Sequence, residues 1–528
     1  MTQSRIMFYH DGRHPLIYMY EPPMQKEEYE AAVDELVGTP VEAIMFCLGD
    51  GRTVLHDTKV GELWGHNMKK WPHLIFHRAH RNAVALIRKG HDPLRIVCER
   101  AHGQGLKVYP TLLVQQAAGE RGEDTRCSDF WFDNPQLLIG ARGDLPADHR
   151  GARCMDFKHE EVRAERFALI RETLENYDID GFELQLNYGL DYFHPKEIKA
   201  GAKIMTAWIR KIYRALKKSG RKRELAIRVP ASISGCMELG LDVRGWINEG
   251  IVDVVIGQTF AGPELQDQMT DFRPLIKAAR GSKCRIHAAI QSHVDSDRLN
   301  EANIQMVRAA ACNYWEQGVD GLYLAHWFSN WPYEASFYEK LREMPYPEIM
   351  APRDKHYYVP TPTGRYTELE PIVEPGVSLQ LPVELELKKP AQIHFKISDD
   401  LPRWDKVGRV HEVLLRLRLV ETTERDKLCF RFNGKELPDV LLRKINQLYI
   451  MEAPRYRVGG YWFVFRLDKA HWPRQGENTV EVTLLRRDRE AAPPVQIRDV
   501  ELETKYLMGK NFHRGQDVDL GGYEHANQ

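Results

Sequence analysis

The sequence lacks several things that would have settled its class at once. No apolar run approaches the roughly 18 residues needed to span a bilayer, so no membrane partner is expected. Neither charge is in excess: Lys and Arg number 74, Asp and Glu 75, and the net charge is -1. That balance argues against a nucleic-acid partner. The 8 cysteines include no C-x-x-C pair and sit mostly in apolar runs such as IMFCLG, IVCER and LCFRF. They read as reduced, buried thiols rather than a disulfide framework. The opening MTQSRIMFYHDG lacks the apolar stretch of a secretory signal, so a cytoplasmic or otherwise soluble protein is expected. G-x-S-x-G, P-loop and H-E-x-x-H patterns are missing, and no G-x-G-x-x-G follows the first strand, which removes support from those reaction classes.

What is present is alternation. Short apolar runs fall at 5–9, 42–48, 106–114, 180–187, 224–230, 252–259, 284–290 and 320–326. Most intervals have room for a helix. Across 195–219, Pro195 suits a first turn, Met205, Ile209, Ile212 and Leu216 make one apolar stripe, Lys217 and Lys218 suit the C-terminal dipole, and Gly220 closes the segment. Phe167, Ile170 and Leu174 mark a second stripe in 159–176. Eight strand–helix repeats predict a closed (β/α)8 barrel over residues 1–345.

The texture then changes. A Pro- and aromatic-rich linker is expected over 346–370. Short alternating runs punctuated by Asn433-Gly434 and Gly476-Glu477-Asn478 predict an antiparallel β-sandwich over 371–508, followed by an irregular tail over 509–528. The sandwich is expected to buttress the barrel or form a homodimer interface; its YWFVF run reads as a core strand.

In such a barrel the active site gathers at the C-terminal ends of the strands. The polar residues there are His10, Asp11 and His14 after strand 1, Asp50 and Arg52 after strand 2, and Gln115 and Gln116 after strand 3. Strand 4 carries Glu183, Gln185 and Asn187, and strand 5 carries Arg228. Gln258, then His287 and Gln291, then His326, Trp327 and Asn330 mark strands 6, 7 and 8. A rim dense in hydrogen-bonding groups and aromatics suits sugars.

Each of these also has a plainer reading. On strand 4, Glu183, Gln185 and Asn187 alternate with Phe182, Leu184 and Leu186, so the polar side faces the barrel interior. Glu183 is then either a structural carboxylate satisfied by Arg228 or a catalytic one. Arg228, inside a strand, must meet a carboxylate of the protein or of a ligand. Asp11 precedes Gly12 and also reads as a turn residue. His149, late in the strand 3 loop, reads on its own as a solvated histidine, the usual state of a lone loop histidine. Trp327 and Trp331 are a sugar platform or rim packing. His73, His77 and His80 share a helix face, but no carboxylate or Cys completes a metal set. No metal or cofactor is expected.

The stretch MDFKHEEVRAERFALIRETLENYDIDGFELQL resembles the strand 4 region of glycoside-hydrolase-like barrels, and FRFNGKEL and GENTVEVTL resemble the sandwich domains attached to them. Two departures bear on mechanism: many relatives place an Asp where this chain has Gln185, and strand 7 ends in His287 and Gln291 without a carboxylate. The usual carboxylate pair is therefore not visible on strands 4 and 7. The chain most resembles glycoside hydrolase family 156, the inverting exo-sialidases. That resemblance implies Asp11 as general base, His149 as general acid with His159 as the alternative, and Arg228 with Arg153 as the carboxylate fork. Glu183, Gln185, Asn187, Gln258, His326, Trp327 and Asn330 would complete the sugar site. The expected activity is release of a terminal acidic sugar. Two alternatives stand beside it: a glycosidase for a neutral or uronic sugar using Glu183 with Asp11 or Asp50, and a carbohydrate-binding barrel without catalysis.

Overall fold

The computed structural model describes residues 4–16, 20–115, 119–146, 148–259, 266–294, 301–361, 379–447 and 460–508. All eight apolar runs form strands: β1 (Ile6–His10), β2 (Ala43–Asp50), β3 (Lys107–Leu113), β4 (Gly181–Gln185), β5 (Glu224–Pro230), β6 (Val254–Gln258), β7 (Arg285–Ile290) and β8 (Gly321–Leu324). Each is parallel to the next, and β1 pairs with both β2 and β8, so the sheet closes into a barrel. Two short strands, Thr53–Val54 and Glu62–Leu63, extend the sheet beyond the end of β2.

The crossovers follow the apolar stripes. Helix α1 (Lys26–Asp34) follows β1, and α2 (Leu74–Arg88) and α3 (Pro93–Gly103) follow β2. After β3 come α4 (Asp129–Asp133) and α5 (Glu160–Asn176); after β4 comes α6 (Ile198–Ser219). Helices α7 (Ile233–Glu238) and α8 (Val243–Glu249) follow β5, α9 (Arg273–Ala279) follows β6, α10 (Ile304–Gln317) follows β7, and α11 (Ala335–Glu343) and α12 (Pro347–Met350) follow β8. In α6 the predicted stripe of Met205, Ile209, Ile212 and Leu216 is fully buried. Pro195 opens a 3-10 turn just before it, and Gly220 closes it in extended rather than left-handed backbone. Helix α2 starts at Leu74 with His73 as its N-cap, and His77 and His80 within it pack around Trp71 at 5.4 and 5.1 Å.

The barrel interior departs from the branched aliphatic filling common to this fold. Near the N-terminal ends, the Tyr109 hydroxyl and Arg285 Nη2 both donate to Glu224 Oε2 at 2.6 Å. Nearer the other end, Glu183, Arg228 and Tyr323 form a second network, and Gln185 Nε2 donates to Thr111 Oγ1 at 2.6 Å. Polar groups in so dry a place persist only when paired. The predicted inward orientation of Glu183 and Gln185 is what makes the network nearer the C-terminal ends.

Beyond the barrel, the chain forms two antiparallel sheets. One has the order β9 (Lys355–Tyr358), β18 (Gln496–Tyr506), β12 (Val410–Val420), β16 (Tyr461–Arg466), β15 (Leu442–Asn446), with β10 (Val383–Glu384) also on β18. The other has β11 (Pro390–Ile397), β17 (Gly476–Arg486), β13 (Lys427–Phe432) and β14 (Lys435–Glu436). Their inner faces share one apolar core, with Phe430 lying 4.9 Å from Phe463 and 5.2 Å from Phe465 across the gap. Strand β16, the YWFVF run, is buried on both faces: Trp462 packs outward beneath Arg416, whose guanidinium is 4.9 Å from the ring. No disulfide joins the eight cysteines, six of which are buried. The expected tail and residues 362–370 of the expected linker lie outside the described residues, whereas 346–361 is not a bare linker: it forms α12 and β9, the latter a strand of the first sandwich sheet.

Candidate active site at the barrel mouth

At the end of β1 the chain turns sharply. Asp11 Oδ1 accepts the backbone N–H groups of Arg13 and His14, both at 3.0 Å. Gly12, at φ +72°, is required between them: a Cβ would sit 2.5 Å from the Cys47 carbonyl oxygen. The other carboxylate oxygen, Oδ2, lies 2.9 Å from His14 Nδ1 and accepts from Arg13 Nε at 3.3 Å. Burial alone would raise the Asp11 carboxyl, but His14 and then Arg13 hold it well below the usual carboxylate range. Asp11 is thus both a turn residue and the anchor that aims two cationic-capable side chains.

Arg13 reaches across to β2, where its Nη1 lies 3.6 Å from Asp50 Oδ2. Asp50 closes β2 and is buried. On its other side the field of Arg126, from the loop after β3, is also felt. That loop is tied down by Thr53, whose hydroxyl donates to the Arg126 carbonyl at 2.7 Å.

Arg228 enters from β5. Its Nε donates to Glu183 Oε1 at 2.8 Å, its Nη1 approaches Gln258 Oε1 at 3.4 Å, and its guanidinium lies over the rings of Tyr9 and Tyr323, 4.3 and 4.8 Å from their centroids. Burial works against its charge, but Glu183 outweighs that and keeps it protonated. The Tyr323 hydroxyl also donates to Glu183, leaving that carboxylate enclosed.

These groups converge on one cavity of about 120 Å³, lined by Arg13, Asp50, Arg126, Arg228, four amides and several aromatic rings. The amides are Gln185, Asn187, Gln258 and Gln291; the rings are Tyr9, Tyr188, His326 and Phe328. Arg228 Nη2, Asn187 Oδ1, both amide atoms of Gln291 and Asp50 Oδ2 are buried with no hydrogen-bond partner among the described residues, although Arg13 lies near the last of these. Such orphans cost about 1–3 kcal/mol each and call for a ligand or water. His326 is held in left-handed backbone at φ 50°, a conformation uncommon away from glycine and concentrated at functional sites.

The structure therefore brings together Arg228, Gln185, Asn187, Gln258 and His326 from the sequence-derived set, with Glu183 directly behind Arg228. Asp11 stands one step behind the lining through Arg13. His149, Arg153 and Asn330 are not among the lining residues. His149 is half-buried, and its Nδ1 accepts from the Gly151 N–H at 3.1 Å. Arg153 is exposed, pairs with Glu120 at 3.2 Å and lies over Trp131. Trp327 is a correction: it is fully buried with its indole N–H on the Ile290 carbonyl at 2.9 Å, so it offers no platform. Trp331 likewise packs, its indole on Glu35. Gln115 is consumed in tying Met155 and Asp191 together, and Gln116 lies outside the described residues.

Sequence reasoning missed Arg13, Arg126, Tyr9, Tyr188 and Phe328. Arg13 was legible in principle, two residues beyond a strand-end Asp; Tyr9 was hidden in an apolar run, and nothing in the sequence marked Arg126. Among the described residues, two groups have metal-like ligand spacing, Glu62–His66–Asp129 and His356–Glu501–Glu503. In both, arginines already hold carboxylates: Arg52 and Arg121 in the first, Arg416 in the second. No described helix is long and apolar enough to cross a membrane.

No family model matches this chain, and no curated protein matches it. Among solved structures it is similar to alpha-L-fucosidase isoenzyme 2 from Paenibacillus thiaminolyticus, with 13% identity over 67% of this chain and a TM-score of 0.42. That match covers 51% of the fucosidase chain, so it spans about half of that protein's length. It is also similar to an Anoxybacillus alpha-amylase (11% identity, 92% of this chain and 98% of that one, TM-score 0.40). An endo-1,4-beta-mannanase from Rhizomucor miehei gives 8% identity over 66% of this chain and 94% of that one, with a TM-score of 0.41. The barrel and sandwich described above rest on the strand pairings and not on these similarities.

Proposed function

We propose that the protein is a glycoside hydrolase, exo-acting and inverting, that releases a terminal acidic sugar of the sialic or nonulosonic type. The observation that carries this reading is the cavity lining: guanidinium groups of Arg13, Arg126 and Arg228 border the same space as Asp50, the one carboxylate among the described lining residues. A guanidinium fork suits a sugar carboxylate. The amides of Gln185, Asn187, Gln258 and Gln291 suit hydroxyl or N-acyl groups, and Tyr9, Tyr188 and Phe328 offer apolar faces.

Inversion needs one group to take a proton from water as its oxygen attacks the anomeric carbon, and another to protonate the departing glycosidic oxygen. The geometry favours Asp50 for the first and His326 for the second, since both border the cavity. A histidine acid suits an optimum near or below neutral pH. On this reading Asp11 positions Arg13 and His14. The pair that the family resemblance implies, Asp11 with His149, is the competing assignment.

The test is sugar release from sialylated oligosaccharides and a panel of aryl glycosides, followed by NMR of the first anomer formed. Free sialic acid appearing first as the inverted anomer supports the reading. Cleavage of neutral or uronic glycosides alone keeps a hydrolase and discards the acidic sugar. Binding without any cleavage supports a carbohydrate-binding barrel.

A further inference from the structure

A chain of hydrogen bonds joins the sandwich to the mouth. Tyr358, the last residue of β9, points its buried hydroxyl into the barrel loop after β6 and donates to the Gln266 carbonyl at 2.6 Å; the Gln266 amide oxygen is 3.2 Å away. Gln266 is itself buried. Its backbone N–H donates to the His293 carbonyl at 2.7 Å, and its side-chain amide donates to the Gln291 carbonyl at 3.2 Å. Both acceptors are in the loop after β7. One residue along, the Ser292 hydroxyl donates to the His326 carbonyl at 3.0 Å, in the loop after β8. Gln291 and His326 both line the cavity.

A second residue fixes the same attachment. Gln268, fully buried, donates to the carbonyls of Met306 on α10 and His356 on β9, each at 3.0 Å, and its amide oxygen accepts the Tyr358 N–H at 3.0 Å. Gln268 thus behaves as an added rung on the edge of β9. Asn313 on α10 bridges the Gln268 and Lys396 carbonyls at 3.2 and 3.1 Å. Three consecutive mouth loops are therefore registered against a strand that belongs to the other fold unit. Loops carry the highest conformational freedom in a barrel, and a cavity group 1 Å out of place loses much of its effect.

We infer that Tyr358 is a positioning residue of the mouth: through Gln266 it sets where Gln291 and His326 stand, so that the sandwich acts as part of the site's supporting wall. This rests on the cavity being the functional site, and not on which bond is cleaved there. The neighbouring Tyr357 supplies the control. Its hydroxyl faces the other way, onto Asp399 at 2.7 Å and Ser398 at 3.0 Å, inside the sandwich.

The experiment compares Tyr358→Phe with Tyr357→Phe by hydrogen exchange of the intact chain, with thermal midpoints measured alongside. In Tyr358→Phe the Gln266, Ala302 and Ala325 amides, which bond the β7 loop and strand end, should exchange at least about threefold faster, because local opening reports lost local bonds. Tyr357→Phe should lower the midpoint without that local change. N-acetylneuraminic acid binding is then followed in wild type and Tyr358→Phe, with a weaker affinity expected in the variant. Equal exchange at those amides in both variants overturns the inference. Faster exchange in Tyr358→Phe, together with no binding of N-acetylneuraminic acid by wild type, upholds it and counts against the acidic-sugar reading alone.

Discussion

Arg228 and Glu183 form a fully buried ion pair across two adjacent strands, Nε to Oε1 at 2.8 Å, with Tyr323 closing the carboxylate and Tyr9 beneath the guanidinium. The pair explains why a charged residue stands in the middle of β5, and it assigns Glu183 as the counter-ion that keeps Arg228 available to the cavity.

Glu183→Gln should therefore act on stability first. Removing one partner of a buried pair strands the other charge and costs about 3–5 kcal/mol. Chemical denaturation should show that loss, and a double variant with Arg228→Met should recover much of it. A Glu183→Gln protein of unchanged stability but without turnover would instead make Glu183 a catalytic group.

Asp50→Asn and Asp11→Asn separate the two assignments of the base. If Asp50 takes the proton, its amide should fold normally and lose about 10²–10⁴-fold in turnover, the usual worth of a general base. Asp11→Asn should misplace Arg13 and His14 and weaken binding of the acidic sugar more than the chemical step. Steady-state kinetics on the best substrate distinguishes them; a larger fall in kcat for Asp11→Asn restores the Asp11 scheme.

Acid should destabilise the protein earlier than carboxylates alone predict. Burial lowers His10 to about 4, against the pull of Asp11, and lowers His287 to about 3, with Arg285 adding to it. Both are proton-poor in the native state, so the unfolded chain takes up protons first. Stability therefore falls as pH drops below about 6.5, by up to about 1.4 kcal/mol per pH unit for each histidine. The depressed Asp11 adds a further loss at lower pH. Unfolding free energies measured between pH 6.5 and 4.5 should fall less steeply in His287→Leu, by about one histidine's share of the slope.

Gly181→Ala tests the polar packing at the other end of the barrel. A Cβ there would lie 2.2 Å from the Tyr109 ring and 2.4 Å from the Glu224 carbonyl oxygen. Tyr109 cannot retreat without giving up Glu224, which is shared with Arg285. The variant should lose at least about 1–3 kcal/mol, the range for overpacking. A midpoint equal to wild type would mean that this network is looser than its distances imply.

The barrel and the sandwich were legible in the amino-acid pattern. Hydrophobic period sets which local segments become strands or helices, and eight alternating runs leave few ways to bury their apolar faces. The pattern also placed Glu183 and Gln185 inside the barrel, because alternation along a strand dictates side, and it required a carboxylate for Arg228. Which polar residues share a cavity depended on long-range packing. Arg13, Asp50, Arg126 and Arg228 come from four separate strand ends or loops, and no local pattern encodes their meeting. The same holds for Trp327, whose rim position in the sequence said nothing about the ring being folded inward onto Ile290. Loop residues such as His149 and Arg153 carried no periodic signal, so their distance from the cavity lining was set by long-range packing alone. The link from Tyr358 to Gln291 was the least legible: it joins residues far apart in the chain through backbone carbonyls, which every residue possesses and no sequence pattern distinguishes.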